Sequence, residues 1–275
     1  MIIDMHAHSF PDRIAGRAMA GLIRATRGVL TSIGDGTLTN HLDQMDHDGV
    51  DMACLLQIAT KPTQFEVLMR TAKAIRDGEF GERAQRKIIP FPSVHPADPD
   101  LFAHLDEIAA EGFKGVKFHP YYQDFSLADP SVWPMFRKVA DLGLVVECHC
   151  GYDVGYPDRF DACGPKEVAA LLRNVKGLTF IAAHLGGCAG FGPHETDPLM
   201  DLGCYADTSA LFCNWYRDEE MRLLHSWPTE RLLFATDFPW TVYSEAIRWV
   251  KEFRDPADWD AIFSGNARRL LGVGS

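Results

Sequence analysis

Nowhere in the 275 residues is there a run of ~18 apolar side chains, the length a helix needs to cross a bilayer. Basic charge is scarce too: 27 Lys and Arg stand against 38 Asp and Glu, a net charge of −11. That balance argues against nucleic acid as a partner, whose phosphates call for a basic surface. It equally disfavours anionic membranes. No basic segment followed by an apolar run precedes the first strand, so no secretory signal is expected and a cytoplasmic location is. The seven cysteines are odd in number, and Cys54, Cys148 and Cys150 sit in apolar strand-like runs. Reduced, buried thiols are expected, not a disulfide framework. Low-complexity stretches, repeats and linkers are lacking, which predicts one domain over residues 1–275.

What is present is enough apolar material, 47% of residues, for a large core. Short apolar runs recur with helical segments between them. The runs are Ile2–His8, Met52–Ile58, Lys87–Val94, Gly115–His119, Leu144–Cys150, Leu178–His184, Cys204–Ser209 and Leu232–Asp237. Most are continuously apolar, as expected for parallel strands buried on both faces. The intervening helices are predicted over Thr63–Glu79, Asp98–Glu111, Asp129–Asp141, Pro165–Val175, Glu219–Trp227, Ser244–Arg254 and Asp258–Leu271. Eight strands alternating with helices imply an α/β fold of the (β/α)8 TIM-barrel type. An open doubly wound sheet is the alternative, but the nucleotide-binding glycine fingerprint is missing after the first strand. The barrel is expected to be distorted. About thirty residues, Ser9 to Thr39, follow the first strand, which is long for such a connection. Ala15–Arg27 reads as a helix inside it, and the excursion is expected to cover the site.

In a barrel of this kind, chemistry sits at the C-terminal ends of the strands. His6 and His8 end the first strand and, two residues apart, point to one face. Two neutral imidazoles so held chelate a divalent cation, and zinc suits them. Lys117 and His119 end the fourth strand, His149 the fifth, His184 the sixth and Asp237 the eighth. Polar groups there are costly unless paired or ligated. Each has a plainer alternative. His149 could be a hydrogen-bonded core histidine, His184 a loop cap, Asp237 a turn or cap residue, Lys117 half of an ion pair and His119 a loop residue. In Cys148-His149-Cys150 the cysteines point opposite to the histidine. His41, His47, His95, His104, His194 and His225 show no partner pattern and read as solvated or structural.

Several stretches together closely resemble the amidohydrolase superfamily, in its branch related to aminocarboxymuconate semialdehyde decarboxylase, often called amidohydrolase 2. They are Ile3-Asp4-Met5-His6-Ala7-His8, Gly115-Val116-Lys117-Phe118-His119-Pro120, Glu147-Cys148-His149-Cys150-Gly151, Ala183-His184-Leu185-Gly186-Gly187, Ala235-Thr236-Asp237-Phe238-Pro239 and Gly265-Asn266-Ala267-Arg268-Arg269-Leu270-Leu271. The resemblance runs from residue 2 to residue 271. It implies zinc held by His6, His8 and His149, with Asp237 as fourth ligand or neighbour of the metal-activated water. It implies that His184 polarises the substrate or helps to activate the water. One Zn2+ is expected, with Lys117 contacting an anionic substrate group. A second ion follows if Lys117 is carboxylated, and His184 then becomes its ligand.

The implied reaction is hydrolysis of a small, carboxylated cyclic or aromatic amide, lactone or ester. The rival is nonoxidative decarboxylation of an unsaturated or aromatic acid, for which Lys117, Arg159 or the Tyr121-Tyr122 pair would hold the acid group. A catalytically silent metal-binding protein is the third alternative. His119, Phe10 and Trp240 are further candidates for lining a substrate pocket, with Phe238; Arg159 could also be a solvated charge and Trp240 core packing. A homo-oligomer is left open, with Phe212, Trp215 and Tyr216 covering either a partner copy or the site.

Overall fold

The computed structural model describes residues 1–187, 191–209 and 217–274. Phe212, Trp215 and Tyr216 lie outside the described residues. The strands are β1 (Ile3–Ala7), β2 (Met52–Leu56), β3 (Ile88–Phe91), β4 (Gly115–Phe118), β5 (Val145–Cys148), β6 (Phe180–Ala182), β7 (Tyr205–Asp207) and β8 (Leu232–Leu233). Every paired neighbour runs parallel, in the order β1-β2-β3 and β4-β5-β6-β7-β8. Each strand falls within an expected run. The ladders are shorter than the runs.

Two seams join these groups into a barrel. At the β8–β1 seam, Met5 N–H donates to Phe234 O (2.9 Å), Asp237 N–H to His6 O (2.8 Å) and His8 N–H to Phe238 O (2.7 Å). At the β3–β4 seam, Lys117 N–H donates to Pro92 O at 2.9 Å. The thinness of that seam has a covalent cause. Pro90 and Pro92 are two apart and so present the same backbone edge, and neither has an N–H to give β4. Phe91 presents the other edge, where its carbonyl accepts from Gln57 N–H at 3.1 Å.

The excursion after β1 carries α1 (Asp12–Ala25) and α2 (Leu38–Asp48). Thr37 caps α2, its hydroxyl accepting from Asn40 N–H at 3.0 Å, and Gly49 ends it with φ 72°. Next come α3 (Phe65–Arg76), α4 (Glu82–Lys87), α5 (Leu101–Ala110), α6 (Trp133–Asp141), α7 (Pro165–Asn174), α8 (Asp197–Asp201), α9 (Arg217–Ser226), α10 (Tyr243–Phe253) and α11 (Asn266–Leu271). Lys87 thus ends a helix instead of opening the third strand. The helix expected over Asp258–Leu271 is regular only from Asn266, after a wide π-type turn over Ala261–Gly265. No helix among the described residues is long and apolar enough to cross a membrane.

The core has two parts. Ile3, Met5, Cys54, Leu56, Ile89, Phe91, Val145, Ile181, Leu233 and Ala235 pack together, joined by Ala267 and Leu271 of α11. A larger cluster lies between strands and helices, including Val116, Val146 and Cys148 with Ile108, Phe136 and Leu171. Cys54, Cys148, Cys150, Cys163 and Cys204 are free and buried.

Candidate metal centre

β1 changes face just before its histidines. Ile3 and Met5 join the inner cluster, while Asp4 faces Thr236, whose hydroxyl it accepts at 2.6 Å. A register shift between Asp4 and Ala7 then returns His6 to the inside. Such a bulge re-aims side chains next to a site. The Asp4 carboxyl also accepts from His6 N–H (2.9 Å) and Thr236 N–H (3.1 Å), fastening β1 to the end of β8. Burial pushes its pKa up to about 7 against these hydrogen bonds.

Hydrogen bonds at the far side of each ring fix the tautomers. His6 Nδ1 donates to Asp207 Oδ2 at 2.8 Å, and His8 Nδ1 donates to the Leu56 carbonyl at 2.9 Å. Both Nε2 atoms therefore carry bare lone pairs. They face each other at 3.2 Å, and Asp237 Oδ1 stands 3.3 Å from His8 Nε2 and 3.5 Å from His6 Nε2. Three acceptors this close repel unless a cation lies among them. Their spacings match the ~3.4 Å edge of a tetrahedron with metal–ligand bonds of about 2.1 Å. The Lys117 ammonium lies against the same cluster, donating to His6 Nε2 at 3.1 Å.

His184 is fixed through the same aspartate. Ser209 Oγ–H donates to Asp207 Oδ1 (2.6 Å) and so accepts from His184 Nδ1 (2.7 Å). His184 Nε2 is left bare, 3.0 Å from His149 Nδ1. His6, His184 and Asp237 offer ligand atoms within 4.8 Å of one another, whereas His149 groups in this way with His119 and Asp153. The geometry thus brings His6, His8, Asp237 and His184 together, with His149 reaching the group through His184. The His149 and His119 rings stack at 4.1 Å and 10°, so their in-plane lone pairs run side by side and do not converge on one ion.

Burial is the first cause of every imidazole shift here. It drives His6, His119, His149 and His184 below the usual histidine range, and Lys117 adds to the effect for each. Neutral rings are the form that ligates. Burial raises Asp237, but the positive charge that His6, His8 and His184 carry when protonated outweighs it and holds the carboxyl below its ordinary range. Glu147, paired in register with Lys117, is fully buried; burial and then the Asp207 carboxylate push it well above the usual range.

Left-handed backbone shapes the β6 end. His184, Leu185, Gly186 and Gly187 have φ of 60°, 51°, 75° and 85°. A Cβ on Gly187 would lie 2.6 Å from Gly151 N and 2.8 Å from Gly151 Cα, so only two facing glycines let the β5 and β6 ends approach where His149 meets His184. Gly187→Ala is expected to cost about 3 kcal/mol, read as a lowered Tm with a weakened metal affinity; an unchanged melting curve would disprove this account.

The other candidates divide. Lys117, His119, Trp240 and Phe10 line one cavity with His6, His8, His149, His184 and Asp237. Tyr121 and Arg159 do not line it. Tyr121 is 2% exposed, and Arg159 stacks over its ring at 5.6 Å while pairing with Asp124 at 3.1 Å. Tyr122 lines the cavity instead, stacked on His119 at 4.0 Å. Sequence reasoning missed Asp207, Ser209, Glu147 and Asp153; the polar triplet Asp207-Thr208-Ser209 after an apolar run was the available signal. Phe238 lies in the core, stacked on His41 at 4.5 Å, and His41 is structural, held by Tyr243 Oη (2.8 Å) and Ser9 Oγ (3.2 Å). His104 is likewise held, by Asp98 at 2.9 Å.

The amidohydrolase family model matches residues 3–273, and the chain belongs to that family of enzymes. Its fold is that of an uncharacterised TIM-barrel protein from Bordetella bronchiseptica (18% identity, 98% of each chain covered, TM-score 0.73). It is also that of a probable 2-pyrone-4,6-dicarboxylic acid hydrolase from Acinetobacter baumannii, solved with citric acid (16%, 98% and 99%, 0.70). A 5-carboxyvanillate decarboxylase from Novosphingobium aromaticivorans, complexed with manganese and a nitrobenzoic acid, shares it as well (15%, 99% and 96%, 0.65). Comparison with curated proteins finds no match.

Proposed function

We propose that the chain, acting as one domain in the cytoplasm, is a zinc-dependent hydrolase of a small carboxylated cyclic or aromatic amide, lactone or ester. The observation that carries this reading is the meeting of the bare Nε2 atoms of His6 and His8 with Asp237 Oδ1 at 3.2–3.5 Å. His6, His8 and Asp237 would hold the ion, with His184 or His149 completing the set. Such an ion, when bound, lowers the pKa of a coordinated water to roughly 7 and polarises a carbonyl oxygen. Asp237, ionised, also accepts the proton of the attacking water and returns it to the leaving group. His184, with its proton locked on Nδ1, offers only a lone pair at Nε2 and serves as a ligand or proton acceptor. Lys117 supplies positive charge to a developing oxyanion or to a substrate carboxylate.

One observation favours the decarboxylase alternative. The Lys117 ammonium stands directly against the ligand cluster, where it could hold the carboxylate to be lost. The decarboxylase from Novosphingobium aromaticivorans has the same fold and bound manganese, which makes manganese the second metal to supply. The test is turnover of amides, lactones, esters and aromatic acids in oxygen-18 water after loading with zinc or manganese. One solvent oxygen in the product without carbon dioxide is the expected result. Release of carbon dioxide with no solvent oxygen in the organic product selects the alternative, and inertness toward the whole panel overturns both.

A further inference from the structure

The cavity that holds the candidate ligands has a volume of about 610 Å3 and extends beyond them, between α1 and α3, as far as Phe80. That is ample for a drug-sized molecule, and a single-ring acid seated at His8 and Asp237 would leave the far arm unfilled. The walls of this arm are mainly apolar, with Thr60, Gln64 and Thr71 among the polar residues that line the cavity. On α1, Ala15 and Met19 are buried, while Ile14, Ala18, Gly21 and Leu22 share a second face that lines the cavity. Across from them α3 contributes Val67 and Leu68. Val67 remains 47% exposed and Phe80 40% exposed, an apolar wall left in contact with water. Exposed apolar surface continuous with a binding cavity marks a site for a ligand, since water there finds few polar partners. Arg13 and Arg17, one helical turn apart on α1, also line the cavity and take part in no ion pair among the described residues. At 100° per residue they fall at the edge of the apolar face.

We propose that the arm between α1 and α3 binds an apolar tail carried by the substrate, so that the natural substrate is an amphiphilic acid or acyl compound with a hydrocarbon extension of several carbons. The inference rests on the functional reading above for where the reacting head sits. The tail would bury against Ile14, Ala18, Leu22, Val67 and Leu68, displacing poorly held water. Its contribution to affinity would grow with each methylene until the arm is full.

The experiment is calorimetric titration of the zinc-loaded protein with 4-alkylbenzoates from methyl to octyl, beside benzoate itself. Kd is expected to fall about 4-fold per added methylene and then level off. In Ala18→Trp, whose indole fills the arm, Kd is expected to be independent of chain length. Leu68→Gln, which keeps the volume and adds an amide, should flatten the same dependence and stands in where the tryptophan variant does not fold. A flat series in the unaltered protein, or equal slopes in the variants, overturns the proposal. The head-group reading is separated by repeating the titrations on metal-free protein. An unchanged benzoate affinity there would count against the metal centre, while the chain-length slope tests the arm alone.

Discussion

Asp237→Asn is expected to lower kcat/KM by about 10³, within the range found for removal of a general base, with the protein still folded. The asparagine keeps the shape of the side chain, so the left-handed backbone at φ 55° and the N–H bond to His6 O are retained. What is lost is the acceptor. In the unaltered protein the carboxyl lies below its ordinary range despite its burial. An amide oxygen 3.3 Å from His8 Nε2 still offers a lone pair to a cation, but it cannot take up a proton near neutral pH. The effect should therefore appear chiefly in kcat, with a smaller loss of bound metal measured by elemental analysis. Turnover within a few-fold of the unaltered enzyme would remove Asp237 from the chemistry and leave it a ligand only.

The period-two spacing of His6 and His8 was legible because strand alternation is local and needs no partner. The placement of Lys117, His149, His184 and Asp237 at strand ends followed from the alternation of apolar runs, and the family match spans nearly the same residues as the resemblance. Other features depend on contacts between distant segments. The bulge that turns His6 inward after Met5 is set by pairing with β2 and β8, not by residues 2–8 themselves. Tyr121 and Tyr122 are adjacent and chemically alike, yet only Tyr122 reaches the cavity, because stacking on His119 fixes which ring faces it. Arg159 carried a plausible charge, but nearby Asp124 holds it. The weak β3–β4 seam was readable in principle from Pro90 and Pro92, which are prolines on one edge of a strand.

The least legible feature is Asp207, 201 residues from the imidazole it orients, and its replacement makes the sharpest test of the centre. Asp207 Oδ1 accepts three protons, from His184 N–H (2.8 Å), Ser209 N–H (3.1 Å) and Ser209 Oγ–H (2.6 Å), whereas Oδ2 accepts one from His6 Nδ1. In Asp207→Asn the single remaining oxygen will occupy the side with three donors. The NH2 group then points at His6 Nδ1, which must become the acceptor, and the His6 proton moves to Nε2. That proton sits among His8 Nε2, Lys117 Nζ and Asp237 Oδ1, where a cation would otherwise be ligated. Metal affinity is expected to fall 10- to 100-fold, the usual cost of losing a ligand's orienting partner, and turnover by at least as much. Thermal stability should move the other way or not at all, because the substitution removes a buried negative charge beside Glu147. A fall in metal affinity without a fall in Tm separates tautomer control from simple structural damage. Unaltered metal affinity in a folded Asp207→Asn protein would show that His6 does not bind through Nε2, and with that the assigned geometry of the centre fails.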